Sequence, residues 1–477
     1  MIHRTIARPT RYLGLLLGAV VAVLALAHAA PVHAAPVHAA LVHAALARAA
    51  PPPALRMHAT LLRSEPAKGG TITTSPGRIY LVFSEEIEPS LGGIRLVGPG
   101  GTLTLKPTGD PRNVSALVAP VTTMLAAGTW RVEWRIVSED GHPIDGDFTF
   151  TLASAGGDST SAATPTPSPD AATPSSDPEA TAPATVALPD TVTEPARSAM
   201  DEVPVLPAIL RGLGVGLLTA FAGLLWFLRT RRDRAAQPRS ERLLSRVSIA
   251  TALVLTLHLV VWALAASPDR SLGGEQMLAM LASRVGRMEL ARAALALFAC
   301  WALVLARREW LAFAFAVGSM LVSSATGHSA TIHPAWTIPA RALHLFAVAA
   351  WLGGLLWLLT LARPSIEVIA AEAERVSSLA LVGVIVVTVT GVVQTKFFIG
   401  EWGELVRSAY GALALVKLAG LAGLVLFGAH HRFRVMPRLT EAGVADRFSR
   451  SLRSEVVLLT LVILVGGLLA YVPPPRH

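Results

Sequence analysis

Apolar and polar positions divide the chain into stretches with very different periods. After His3, Arg4, Arg8 and Arg11, an uncharged apolar run from Leu13 to Ala27 gives way to small residues. That run is short for a membrane span but suits an export signal, and Ala27-His28-Ala29 offers the small residues a signal peptidase needs, so residues 1–30 are expected to be a signal peptide. Residues 31–57 continue a five-residue unit that begins at His28 and recurs at His33, His38 and His43. The repeat reads either as a metal-collecting tail or as repeat slippage in a segment with no core to build.

From His58 to Leu152 the pattern becomes short alternating or β-branched runs: Arg78 to Phe83, Gly93 to Val97, Thr102 to Leu105, Asn113 to Val118, Thr129 to Val137 and Asp147 to Leu152. Gly, Pro, Asp and Asn separate them, which predicts a small antiparallel β-sandwich over residues 58–152. Residues 153–203 are rich in Ser, Thr, Ala, Pro and Asp without apolar periodicity, the composition of a flexible tether. Residues 204–477 carry long apolar runs at Val205–Leu228, Val247–Ala266, Leu290–Ala306, Leu311–Thr326, Arg341–Leu361, Ser377–Ile399, Ala412–His430 and Glu455–Val472. These predict an all-α polytopic bundle of about eight transmembrane helices, the third and fourth near the lower length limit.

Composition supports the division. Hydrophobic residues make up 52% of the chain and charged residues 15%, against roughly 25% charged in an ordinary globular protein, so much of the length belongs in lipid. The net charge of +9 is carried mainly by arginine. Those arginines fall between spans one and two (Arg229 to Arg246), three and four (Arg307, Arg308), five and six (Arg363, Arg375) and seven and eight (Arg432 to Arg453), whereas the alternate loops hold few. By the positive-inside rule, the soluble domain and both termini lie on the periplasmic or extracellular side of an inner or cytoplasmic membrane. Nucleic acid is not needed to explain the charge. Cys300 is the single cysteine, which excludes a disulfide framework. Gly212-Leu-Gly-Val-Gly216 and Gly420-Leu-Ala-Gly423 lack both the Gly-Lys-Ser/Thr ending and a preceding strand, so they read as helix-packing positions and no nucleotide is expected.

In the soluble part, Asp140-Gly-His142 places a carboxylate and an imidazole two apart, on one face if the chain is extended there. His58 is the natural third donor. Imidazole and carboxylate without thiolate suit Cu(II), Ni(II) or Zn(II), with copper bound most tightly. In the membrane part, His258, His328, His333 and His344 fall within or at the outer ends of spans, the last three expected at one face; ionisable groups there are costly and mark a pathway or ligand set. Met277 and Met280, with Met288 and Met320, offer thioethers that favour Cu(I). Arg292 can pair with Glu289 one turn away, and Lys417 can snorkel outward.

The run from His58 to Gly69, then Leu81-Val-Phe-Ser-Glu-Glu-Ile-Glu, then Gly128 to Gly146 around Trp134-Arg-Ile-Val-Ser-Glu-Asp140-Gly-His142, resembles the CopC copper-binding domain. The resemblance implies an immunoglobulin-like sandwich holding one Cu(II), with His58, Asp140 and His142 as ligands and Glu85 as a supporting acidic residue behind them. Two departures stand out. Leu91 to Arg112 contains no methionine, so the Met-rich Cu(I) loop of some members is missing. The family's ligand histidine is usually the mature amino terminus, whereas Leu55-Arg56-Met57 precedes His58 here.

Ala325-Thr-Gly-His328-Ser-Ala, His344-Leu-Phe-Ala-Val-Ala-Ala-Trp-Leu-Gly-Gly-Leu, Ser408-Ala-Tyr-Gly through Lys417, and Arg453-Ser-Glu-Val-Val resemble the CopD copper-resistance membrane proteins. That resemblance implies inward copper movement across the membrane; a cytoplasmic copper acceptor and no enzymatic reaction are expected with it. Two other readings stay open: a transmembrane haem protein using paired histidines as an electron carrier or metal reductase, and a copper sensor or buffer without transport.

Overall fold

In the soluble half the alternating pattern becomes nine strands: β1 (Leu61–Glu65), β2 (Thr71–Ile72), β3 (Arg78–Phe83), β4 (Gly93–Gly98), β5 (Gly101–Leu105), β6 (Thr108–Asp110), β7 (Asn113–Pro120), β8 (Gly128–Val137) and β9 (Pro143–Leu152). The computed structural model describes residues 59–154, 205–230, 238–361, 366–439, 441 and 443–475. The expected signal peptide, the repeat segment, His58 and the tether beyond residue 154 lie outside them.

The strands form two sheets, one in the order β1-β3-β7-β6 and the other in the order β2-β9-β8-β4-β5. Their facing sides meet in one core. Ile79, Leu81 and Phe83 of β3 pack there with Leu117 and Ala119 of β7, Ile94 and Leu96 of β4, Trp130, Val132 and Trp134 of β8, and Phe148 and Phe150 of β9. Each set is spaced by two, as a half-buried strand requires. The alternation in β8 fails at its end, where Ile136 and Val137 are both buried. Val137 points away from the sandwich core into a second apolar cluster shared with helices of the membrane half.

Three elements go beyond the expected strands. β1, β2 and β6 are short and lack clean alternation, and β9 begins four residues earlier than Asp147. Pro143 opens that strand opposite Val137, a position where the missing N–H costs no interior ladder bond.

The membrane half comprises α1 (Val205–Thr230), α2 (Pro238–Ala266), α3 (Gly274–Ala282), α4 (Arg284–Val304), α5 (Glu309–Ser324), α6 (His328–Thr331), α7 (Pro334–Thr360), α8 (Ile366–Ile399), α9 (Glu404–Arg407), α10 (Ala409–His430) and α11 (Val444–Leu469). A helix forms at each of the eight apolar runs. Among the described residues six are long and apolar enough to cross a membrane: α1, α2, α7, α8, α10 and α11. The other two fall short for separate reasons. α5 has 16 residues, and α4 carries Arg287, Glu289 and Arg292 along its 21. Gly212 faces Gly467 so closely that a Cβ on it would lie 3.1 Å from the Gly467 Cα. Here α1 and α11 pack backbone to backbone, the role small residues play between membrane helices.

Candidate metal site between the two halves

The β8–β9 hairpin ends in a five-residue loop, Ser138 to His142, between the paired residues Val137 and Pro143. Gly141 sits at φ +92°, so Asp140 and His142 are not on an extended strand as the sequence pattern suggests. The turn brings them together instead. Gly141 N donates to Ser138 O at 2.8 Å and Ser138 N donates to His142 O at 3.1 Å. The Ser138 hydroxyl donates to Asp140 Oδ1, and His142 N also reaches that oxygen at 3.3 Å. With Oδ1 held by the loop, Oδ2 faces outward, 2.8 Å from His142 Nδ1.

The same oxygen meets the membrane half. His328, at the start of α6, places its Nδ1 3.2 Å from Asp140 Oδ2, while its Nε2 lies 3.1 Å from Val472 O. The two imidazole rings are 5.6 Å apart, and the Tyr471 ring stands edge-on to His142 at 4.7 Å. Asp140, His142 and His328 are all buried. Burial disfavours the charged carboxylate, but the His142 and His328 rings beside it outweigh that and hold Asp140 well below the usual carboxylate range.

Several contacts seat the hairpin on the membrane half. Trp262 Nε1 of α2 donates to Gly141 O at 2.8 Å, and Arg135 Nη1 donates to Ser267 O at 3.0 Å. Val285 N, in the first turn of α4, donates to Glu88 Oε1 at 3.2 Å. Arg284 pairs with Glu139 at 3.4 Å. Beneath these, Leu91 and Val137 pack with Trp262, Ala266, Met280 and Val285.

The remaining expected residues are distributed as follows. His258 is buried, with Nε2 3.2 Å from the Tyr471 hydroxyl and Nδ1 2.7 Å from Arg292. Arg292 is paired with Glu289 on the same helix. Through Tyr471, His258 is thus one side chain removed from His142. His344 Nδ1 bonds Thr390 Oγ1 at 2.9 Å, and His344 shares with His328 the wall of a cavity of about 310 Å³. His333 is exposed at the start of α7, its ring 5.0 Å from Phe397. Met280 is enclosed in the apolar cluster under the hairpin, and Met277 is 48% exposed. Glu85 follows Ser84, whose Oγ accepts from Thr60 N at 3.0 Å. Thr60 is the second described residue, so Glu85 lies close to where the described chain begins. His58 itself lies outside the described residues.

Among the described residues no three His, Cys, Asp or Glu side chains are arranged to hold a metal as they stand. The Nδ1 atoms of His142 and His328 are both turned onto the carboxylate. Two imidazoles and a carboxylate are nevertheless a donor chemistry that suits Cu(II). Tyr471 and Trp262 carry no sequence signal of these roles: one aromatic at a span's end before Pro473 looks like any interfacial anchor.

Residues 61–153 match the CopC domain, and residues 370–469 match copper resistance protein D. The copper transport protein CutJ of Bacillus subtilis is 24% identical over 88% of this chain and 74% of its own length. Copper resistance protein C of Pseudomonas syringae is 36% identical over 20% of this chain and 80% of its own length. The crystal structure of PcoC, a methionine rich copper resistance protein from Escherichia coli, aligns with 20% of this chain and 98% of its own at 31% identity and a TM-score of 0.18. The chain belongs to the copper-resistance proteins, joining a CopC domain to a CopD domain in one polypeptide. It is a multi-pass membrane protein of copper handling.

Proposed function

We propose that the chain captures Cu(II) on the outer side of the membrane and hands it to its own membrane half for import. Asp140 and His142, with His58 one residue before the first described position, form the capture site, and Glu85 supports it from the bend that follows β3. His328 is the first membrane-half acceptor. One observation carries this reading: His142 and His328, from the two halves, approach the same Asp140 oxygen at 2.8 and 3.2 Å. A carboxylate between two imidazoles from different halves gives an ion donors on both sides of the junction, so it can be passed without release to water. The copper transport named for the relative CutJ supports movement through the membrane half, and the arginine bias supports an outward soluble domain. Release to a cytoplasmic copper acceptor completes the route.

Vesicle uptake of radioactive copper tests the route. His328→Ala should lower uptake while the sandwich stays folded. Uptake equal to that of the unmodified protein would overturn the hand-over.

A further inference from the structure

The cavity beside His328 has a lining unsuited to a bare metal cation. Arg211, Arg341 and Lys417 all face it, and no Asp or Glu does. None of the three forms an ion pair with a carboxylate among the described residues, and the buried Glu289 is committed to Arg292. Arg211 is 4% exposed. Its Nη2 donates to Thr326 Oγ1 at 3.0 Å, whereas its buried Nε has no hydrogen-bond partner. Arg341 spends one nitrogen on Thr326 O at 2.9 Å. Arg211 also stands over the Tyr471 ring at 5.8 Å, but three cations without an ion-paired carboxylate in a membrane domain are costly, and a bound anion offsets that cost.

The rest of the wall is mostly apolar and comes from α1, α7, α8, α10 and α11, with its exposed members on α8 and α10. Val392 of α8 is 52% exposed, and Leu415 and Leu418 of α10 are 38% and 56% exposed. The cationic end is therefore inside the bundle, and the apolar end opens where hydrocarbon would be. We propose that this cavity binds an amphiphile bearing a phosphate group, an anionic phospholipid whose headgroup meets Arg211, Arg341 and Lys417 and whose acyl chain lies between α8 and α10. The assignment stands on the cavity alone and does not depend on the route taken by copper.

The test uses the purified full-length protein in neutral detergent, with thermal unfolding and native mass spectrometry as readouts. Phosphatidylglycerol should raise the melting temperature and be retained at one molecule per chain, whereas phosphatidylcholine and inorganic phosphate should do neither. Lys417→Met keeps the side-chain volume and should weaken phosphatidylglycerol by about tenfold, the loss expected for one charge-assisted hydrogen bond. Arg341→Gln should act in the same direction. Equal responses to phosphatidylglycerol and phosphatidylcholine in the unmodified protein would overturn the proposal even if neither variant folds. A shift reproduced by inorganic phosphate alone would overturn the lipid assignment.

Discussion

The imidazole of His328, carried by the membrane half, lies 3.2 Å from the Asp140 carboxylate of the soluble half. Sequence places these residues almost two hundred positions apart in segments with opposite solvents. Their contact seats the hairpin loop against the membrane domain, so changes on either side should be felt at one site.

Removing His328 should weaken Cu(II) binding to the full-length protein. His328→Ala takes away one imidazole, and loss of such a group costs at least about tenfold in metal affinity. Competitive titration with a calibrated Cu(II) chelator measures it. The isolated sandwich, which lacks His328, should already show the weaker value.

The Trp262 bond tests docking without touching a donor. Trp262→Phe keeps most of the apolar packing but leaves Gly141 O without its 2.8 Å donor, a loss of about 1 kcal/mol. Faster hydrogen exchange in residues 138–142 with an unchanged sandwich core is the expected result.

Gly141 is the residue on which the loop turns. At φ +92° any side chain is strained, and a Cβ would also lie 2.8 Å from Val285 Cγ1. Gly141→Ala should destabilise the hairpin by more than about 1 kcal/mol and reduce copper affinity with it. Thermal unfolding and the same chelator titration read the two effects.

Within the bundle, Glu289→Gln leaves Arg292 as a buried, unpaired cation. Breaking such a pair costs about 3 kcal/mol or more, whereas replacing both members with apolar residues is tolerated far better. Glu289→Gln should therefore lower the melting temperature strongly, and Glu289→Leu with Arg292→Met should recover most of it.

The pH response separates docking from copper binding. Asp140 is held below its unfolded value, so its contribution is present above about pH 4 and is lost only as pH falls through the depressed folded value. The docked fold should hardly feel Asp140 between pH 7 and pH 5. Copper affinity should fall over the same interval, because imidazole must shed its proton to bind the metal. Circular dichroism and Cu(II) titration across that range check both halves of the statement.

Much of this architecture is legible in the sequence because it rests on periodicity. Period-two burial in Trp130, Val132 and Trp134 and the long apolar runs of α1 and α7 announce a sandwich and a bundle. Local chemistry was legible too: Glu289 and Arg292 are three apart on a helix and do pair. The junction was hidden for physical reasons. Asp140 and His142 converge through a left-handed glycine turn rather than a shared strand face. His328 reads as an intramembrane ligand when its span is considered alone, and only the docking of the halves brings it to Asp140. Nor does the sequence pattern explain why Val137 is buried beside Ile136, since the helices that cover it come from more than a hundred residues away.

If one copper ion is shared across the junction, imidazoles from both halves coordinate it at once. Pulsed electron paramagnetic resonance of the Cu(II)-loaded full-length protein counts the coordinated imidazoles directly. His328→Ala should remove one imidazole from the signal, and His142→Ala should remove another. An imidazole count unchanged by His328→Ala would mean that the copper ion is not shared across the junction.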